Sequence, residues 1–360
     1  MEATPGEEKT PAVTTDAKAT IHDWAAPGVY PVAPGVHRVP LPLPTDGLRA
    51  VNVYVIEDDG GLVLIDSGWA LEVARRALTS ALATLGAGLG DVRSFLVTHV
   101  HRDHYTLGLQ LRREFGGTVS LGLGERQTIA ALSGRTAEPF APQLAELRAS
   151  GAAGLIAGLG DIARALPGGA ADWEEPDRWL TPHQEIGAGD RTLTVIPTPG
   201  HTQGHVVFRD AAAGLLFAGD HVLPHITPSI GFEAVSSPHP LQDFLSSLQL
   251  VRSLPDMRLL PAHGPVTPSA HARIDELFAH HDDRLARCLA AVQAGAATAL
   301  EAARSLRWTR RERQLDEMDP FNQMLAVIET RAHLELLTAQ GRLSSTVQDG
   351  VVYYEVPAAP

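Results

Sequence analysis

The segment His99-Val100-His101-Arg102-Asp103-His104 places three imidazoles and a carboxylate within six residues. Neutral imidazole nitrogen and carboxylate oxygen together suit zinc and other first-row metals of intermediate softness. The same residue types recur at wide intervals: Asp66 in Asp66-Ser67-Gly68, His201 in Thr198-Pro199-Gly200-His201-Thr202, Asp220 and His221 in Ala218-Gly219-Asp220-His221, and His263 in Pro261-Ala262-His263-Gly264-Pro265. A metal ion held by such a set depresses the pKa of water towards about 7, which makes hydrolysis the natural chemistry. A protein nucleophile is not evident. Cys288 sits in a helical pattern, Arg284-Leu285-Ala286-Arg287-Cys288-Leu289, and reads as a small core residue.

Each of these segments follows a short apolar run that reads as a strand. Leu62–Ile65 precedes Asp66, Ser94–Thr98 precedes His99, Thr192–Ile196 precedes His201, Gly214–Leu216 precedes Asp220, and Met257–Leu260 precedes His263. Strands alternate their side chains, so His99 and His101 point the same way if the extended path continues to them, with Asp103 and His104 in the turn beyond. Ligands presented from the ends of neighbouring strands can converge on one cleft, and Gly beside them lets backbone approach closely.

Taken in order, these segments resemble the metallo-β-lactamase superfamily, with its His-x-His-x-Asp-His motif and four further motifs, over residues 35–268. The resemblance implies an α/β fold, an αββα sandwich of two face-to-face sheets with helices outside. It implies two divalent metal ions, zinc first, with iron or manganese as alternatives. His99, His101 and His201 would hold one metal, and Asp103, His104 and His263 the other. Asp220 would bridge them, and Asp66 would hydrogen-bond a ligand or its loop. Asp103 and Asp220 would be the carboxylates of the catalytic centre, and a hydroxide between the cations the nucleophile. His221, beside the bridge, is expected to face the cleft and steady developing oxygen charge. The true β-lactamases fit less well: they lack the bridging carboxylate, and the thiolate-using ones have Cys where this chain has Asp220.

Composition narrows the partners. Of 29 basic residues only two are lysine, Lys9 and Lys18, so the body of the chain offers none for a Schiff base or a P-loop. The formal net charge of −13 disfavours broad attraction to nucleic acid or anionic membrane. One cysteine excludes an internal disulfide framework and fits a reducing, cytoplasmic setting. No basic-then-apolar secretory signal opens the sequence, and no apolar run has the length of a membrane helix.

Residues 1–28, polar with scattered Pro, Thr and Glu, read as a disordered leader, and 29–268 as the metal-binding domain. Asp58-Asp59-Gly60-Gly61 reads as a hairpin turn, 70–87 and 105–115 as helices. A helical insertion at about 125–185 is placed to cap the cleft. Beyond 268, helices are expected at 270–294, 297–306 and 320–340, followed by a hairpin over 342–356. Over 269–360, three helices and a two-stranded wing resemble the C-terminal winged-helix domain that some superfamily members carry. Arg304, Arg307, Arg310, Arg311 and Arg313 with Trp308 could track phosphates, but Glu312, Asp316 and Glu317 interrupt them. The favoured function is hydrolysis of a thioester, lactone or ester of a small acyl substrate, resembling the glyoxalase II and lactonase branches. The alternatives are a metal-dependent endoribonuclease or phosphodiesterase and, more remotely, a non-catalytic winged-helix DNA-binding regulator. Homodimerisation stays open.

Overall fold

Val51, Val53 and Val55 alternate with Asn52, Tyr54 and Ile56 along one strand, and all six are buried. A strand covered on both faces must lie between two layers, and that requirement organises the molecule. The computed structural model describes residues 23–43, 47–133, 140–165, 173–309 and 311–358. Most of the expected leader, and Arg310, lie outside the described residues.

The first sheet has seven strands in sequence order: β1 (Tyr30–Ala33), β2 (Val36–Pro42), β3 (Ala50–Asp58), β4 (Gly61–Ile65), β5 (Val92–Leu96), β6 (Thr118–Gly122) and β7 (Arg178–Leu180). β1 to β4 are antiparallel, and β4 to β7 are parallel. The parallel steps need crossovers. Helix α1 (Glu72–Thr84) supplies the first and α2 (Arg102–Phe115) the second; α3 (Arg126–Ser133), α4 (Ala141–Ala149) and α5 (Ile156–Ala165) lie in the third. The second sheet runs β12-β11-β10-β9-β8, with β8 (Glu185–Ala188), β9 (Arg191–Pro197), β10 (Val206–Asp210), β11 (Leu215–Gly219) and β12 (Arg258–Pro261). Helix α6 (Pro240–Arg252) joins β11 to its parallel neighbour β12. The hairpin at 58–61 is as expected, with Asp58 paired to Gly61 across a two-residue turn.

Three apolar clusters make four layers. Tyr54, Ile56, Ile65 and Leu96 of the first sheet meet Leu193, Val195, Phe208 and Phe217 of the second. The outer face of the first sheet, with Val53, Leu64 and Phe95, packs on Leu78 and Leu82 of α1 and Leu107 and Leu111 of α2. The outer face of the second, with Ile196, Val207 and Leu216, packs on Leu241 and Phe244 of α6. This is the αββα sandwich.

The same third cluster continues into α7 (Ala270–Gln293), α8 (Ala299–Ser305) and α9 (Pro320–Ala339). Each lies within a residue or two of its expected bounds. Helix α9 starts with Asp319 accepting hydrogen bonds from the Phe321 and Asn322 amides, and Pro320 follows as its first residue. A hairpin, β13 (Ser344–Gln348) with β14 (Val351–Glu355), ends the described chain. The order of three helices and a hairpin matches expectation. The boundary at 268, however, separates no two cores: Leu277, Met324 and Leu337 share one cluster with the second sheet. The insertion joins it too, through Leu147 and Leu159. Among the described residues no helix is long and apolar enough to cross a membrane.

Candidate metal centre

Strand β5 stops at Leu96, earlier than the apolar run suggests, so His99 and His101 lie on a loop rather than a strand. The cause is Asp66, at the end of β4 with φ +61°. Its carboxylate accepts the Thr98 amide at 2.8 Å and the Thr98 hydroxyl at 2.9 Å, which takes Thr98 off the ladder. Helix α2 then begins three residues earlier than expected, because the His101 carbonyl accepts the His104 and Tyr105 amides. Asp103 and His104 are therefore first-turn helix residues, where the helix dipole favours a carboxylate.

The seven expected ligands meet in two groups. His99, His101, His201 and Asp220 form one, and Asp103, His104 and His263 the other, with ligand atoms within 4.8 Å of one another in each. In the first group, His99 Nε2 lies 3.0 Å from His101 Nδ1 and 3.3 Å from His201 Nε2, and the last two are 3.1 Å apart. These contacts do not work as mutual hydrogen bonds, because each ring has a partner for its proton at the other nitrogen. His201 Nδ1 donates to the Ser229 carbonyl at 2.7 Å, His101 Nε2 to the Phe232 carbonyl at 3.4 Å and His99 Nδ1 to the Thr98 hydroxyl at 3.1 Å. Three lone pairs thus face one point. Ligands about 2.05 Å from a tetrahedral metal stand roughly 3.3 Å apart, which these spacings fit.

The second group repeats the logic. His104 Nδ1 donates to Asp66 at 2.9 Å and His263 Nδ1 to the Ala50 carbonyl at 2.8 Å. Their Nε2 atoms, with Asp220 Oδ1, are buried without a hydrogen bond. Asp103 Oδ2 stands 3.5 Å from His104 Nε2 and 3.3 Å from His263 Nε2. Asp220 reaches both groups: Oδ1 is 3.4 Å from His263 Nε2, and Oδ2 is 3.5 Å from His201 Nε2. Buried polar atoms that converge without partners are costly unless something fills the gap between them. Two cations would, so the donor set fits the expected metals.

Before metal binds, the halves hold protons differently, and a metal at the second would have to displace those on His104 and His263. Burial drives His99 well down and His101 to about 3, so both are neutral, as metal ligands must be. Burial acts the same way on His104, but Asp103, Asp66 and Asp220 outweigh it and lift the ring to about 10. His263 is lifted to about 9 against burial by Asp220 and Asp103. Burial alone would raise Asp103, yet His104 and His263 hold it below the usual carboxylate range.

Several contributors escaped the sequence reading. His205 is fully buried, accepts the Asp220 amide at Nε2 (3.1 Å) and donates from Nδ1 to the Thr198 hydroxyl (2.8 Å), which fixes the backbone of the bridge. Its place four residues after His201 was the available signal. Asn52 donates to the Pro261 and Gly264 carbonyls and Tyr54 to Pro261, pinning the loop of His263. His221 needs correction. It belongs to neither ligand group, is fully buried, and packs against Phe244 at 5.3 Å and His205 at 6.1 Å rather than facing the cleft. Its apolar surroundings push it down to about 3. Cys288 is buried in the core as expected, its thiol pushed up to about 12.

An αββα sandwich with two clusters of imidazole and carboxylate at one edge defines a metal-dependent hydrolase. Residues 46–263 match the metallo-beta-lactamase superfamily, and the chain belongs to that superfamily. A probable metallo-hydrolase of Bacillus subtilis is 26% identical over 329 residues, 88% of this chain and 96% of its own. A metallo-beta-lactamase family protein from Thermus thermophilus superposes with a TM-score of 0.73 at 29% identity, over 91% of this chain and 100% of its own. A beta-lactamase domain protein from Burkholderia ambifaria gives 0.72 at 26% identity, over 91% and 95%.

Proposed function

We propose that this hydrolase carries two divalent metals, zinc first, and cleaves a thioester, lactone or ester of a small acyl substrate. The observation that carries the acyl reading is the wall beside the metal centre. Phe232 lies 6.2 Å from the His101 ring, and Phe140 and Phe321 stand 6.2 and 5.6 Å from Phe232. They come from the insertion, the loop after β11 and the start of α9, and all three are partly exposed. An apolar group bound there would shed water against three rings while its carbonyl reached the metals. Metals bound at the two groups would polarise that carbonyl and lower the pKa of water towards about 7.

The chain's own residues do the rest. His99, His104, His201 and His263 are buried and fix the ligand geometry, whereas His101 and Asp103 are partly exposed and mark the side from which substrate arrives. The winged-helix-like C-terminal part serves as a wall of this cleft through Phe321. Nuclease chemistry is less favoured. Trp308 is buried, donates to the Ala303 carbonyl and carries the Arg284 guanidinium over its ring at 3.9 Å, so it offers no face to a base. Arg304 pairs with Asp316 at 3.5 Å. The test is a panel of thioesters, lactones, esters, phosphodiesters and RNA given to the metal-loaded protein. Acyl cleavage is expected to dominate, with KM rising on Phe232→Ala for apolar acyl groups. RNA or phosphodiester cleavage as the principal activity would overturn the reading.

A further inference from the structure

Behind the first ligand group lies a buried carboxyl that has no part in ligation. Glu125 ends the turn after β6 and is fully buried. Its Oε1 accepts the Thr202 hydroxyl at 2.5 Å and the Val100 amide at 3.3 Å. Val100 sits between His99 and His101, and Thr202 follows His201. One oxygen therefore touches both loops that supply the three imidazoles of the first group.

The backbone is shaped to bring it there. A Cβ on Gly122 would stand 2.0 Å from the Gly204 carbonyl oxygen, and one on Gly124 2.5 Å from that of Gln203. A Cβ on Gly204 would stand 2.1 Å from the Glu125 amide nitrogen. The turn after β6 and the loop after His201 thus touch backbone to backbone, with no room for a side chain between. A second buried carboxylate fastens the loop from the other side. Glu233 accepts the Gln203 amide at 3.0 Å, and Gln203 donates to the Val235 carbonyl at 2.7 Å.

We propose that Glu125 is the positioning residue of the first metal site: it ties the His99/His101 loop to the His201 loop and so sets the spacing of the three imidazole nitrogens. The second site hangs on other supports, Asp66 for His104 and the Ala50 carbonyl for His263. Loss of Glu125 is therefore felt at one site and not at both. The proposal rests on the two-metal reading. Burial lifts the Glu125 carboxyl to about 7, so the neutral amide of Gln, with its acceptor oxygen kept, is a close replacement.

The test uses the full chain, stripped of metal and titrated with zinc against a chromophoric chelator. Wild type should show two binding steps. In Glu125→Ala one step should weaken about 10- to 100-fold, the usual scale for losing a group that orients a ligand, with the other nearly unchanged. Glu125→Gln should restore most of the loss. Combined with Asp66→Asn, which removes the partner of His104, the second step should weaken as well. Both steps unchanged in Glu125→Ala, both weakened alike, or no rescue by Gln would overturn the proposal. Should Glu125→Ala not fold, Thr202→Val removes one anchor at equal volume; an unaltered first site there would also overturn it. A wild type without two binding steps would instead sink the two-metal reading.

Discussion

Asp66→Asn is the sharpest probe of how the second ligand group is prepared. Asp66 accepts three hydrogen bonds in a buried pocket: the Thr98 amide and hydroxyl on one oxygen, His104 Nδ1 on the other. Asparagine keeps the shape but turns one acceptor into a donor. If its NH2 faces Thr98, two donors confront each other at the amide. If it faces His104, the imidazole must shift its proton to Nε2, the atom aimed at the metal. Either arrangement strands a buried donor, at about 1–3 kcal/mol. At about 1.4 kcal/mol per tenfold, metal affinity at the second site should fall roughly 10- to 100-fold, the range seen for such partners of metal-bound histidines. The first site should weaken less, because Asp66 reaches it only through Thr98, whose hydroxyl accepts from His99 Nδ1. Chelator competition resolves the two steps. A folded Asp66→Asn protein with both affinities intact would show that the hydrogen bond to His104 does not set its readiness to bind metal.

Asp220→Asn should weaken both sites together, because each of its oxygens faces a different group; elemental analysis after gentle purification should show metal falling from two ions per chain, and retention of both would refute the bridge. Glu233 provides a pH signature. Burial, helped by Glu125, raises its carboxyl to about 8, above its unfolded value near 4.5, so the folded state binds the extra proton and stability declines as pH rises between those values. Melting temperatures from pH 5 to 8 should show that decline flattened in Glu233→Gln; an unchanged slope would mean that the group ionises freely in the fold.

The candidate ligands were readable from the compact His99–His104 segment and from His201, Asp220 and His263, each beside Gly near the end of an apolar run, whereas their division into two groups came with the resemblance. The layers came with the resemblance to the superfamily, and β3, buried on both faces, agrees with them. His221 misled because adjacency in sequence to Asp220 says nothing about which way the next side chain points after a strand ends; it turned under Phe244. Glu125 was invisible as part of the site, and His205 left only its spacing from His201, because their roles depend on contacts that the folded backbone creates. Glu125 lies 77 positions from Thr202, and only the folded backbone brings them together. The helix bounds of the C-terminal part followed from caps and periodicity, but its sharing of a core with the second sheet could not, since an apolar helix face does not name its partner.

That shared core bears on how the protein can change over evolutionary time. An appended domain can be lost, swapped or duplicated, because its removal leaves the parent surface polar. Here removal of residues beyond 268 would bare the apolar side of the second sheet's helical layer, so the C-terminal part cannot be exchanged as a module. What can vary cheaply is its rim. Phe321 at the start of α9, Phe140 at the edge of the insertion and Phe232 between them lie outside the fully buried cluster. Three segments far apart in the chain can thus alter the approach to one pair of ligand groups by single substitutions, while the packing beneath stays fixed.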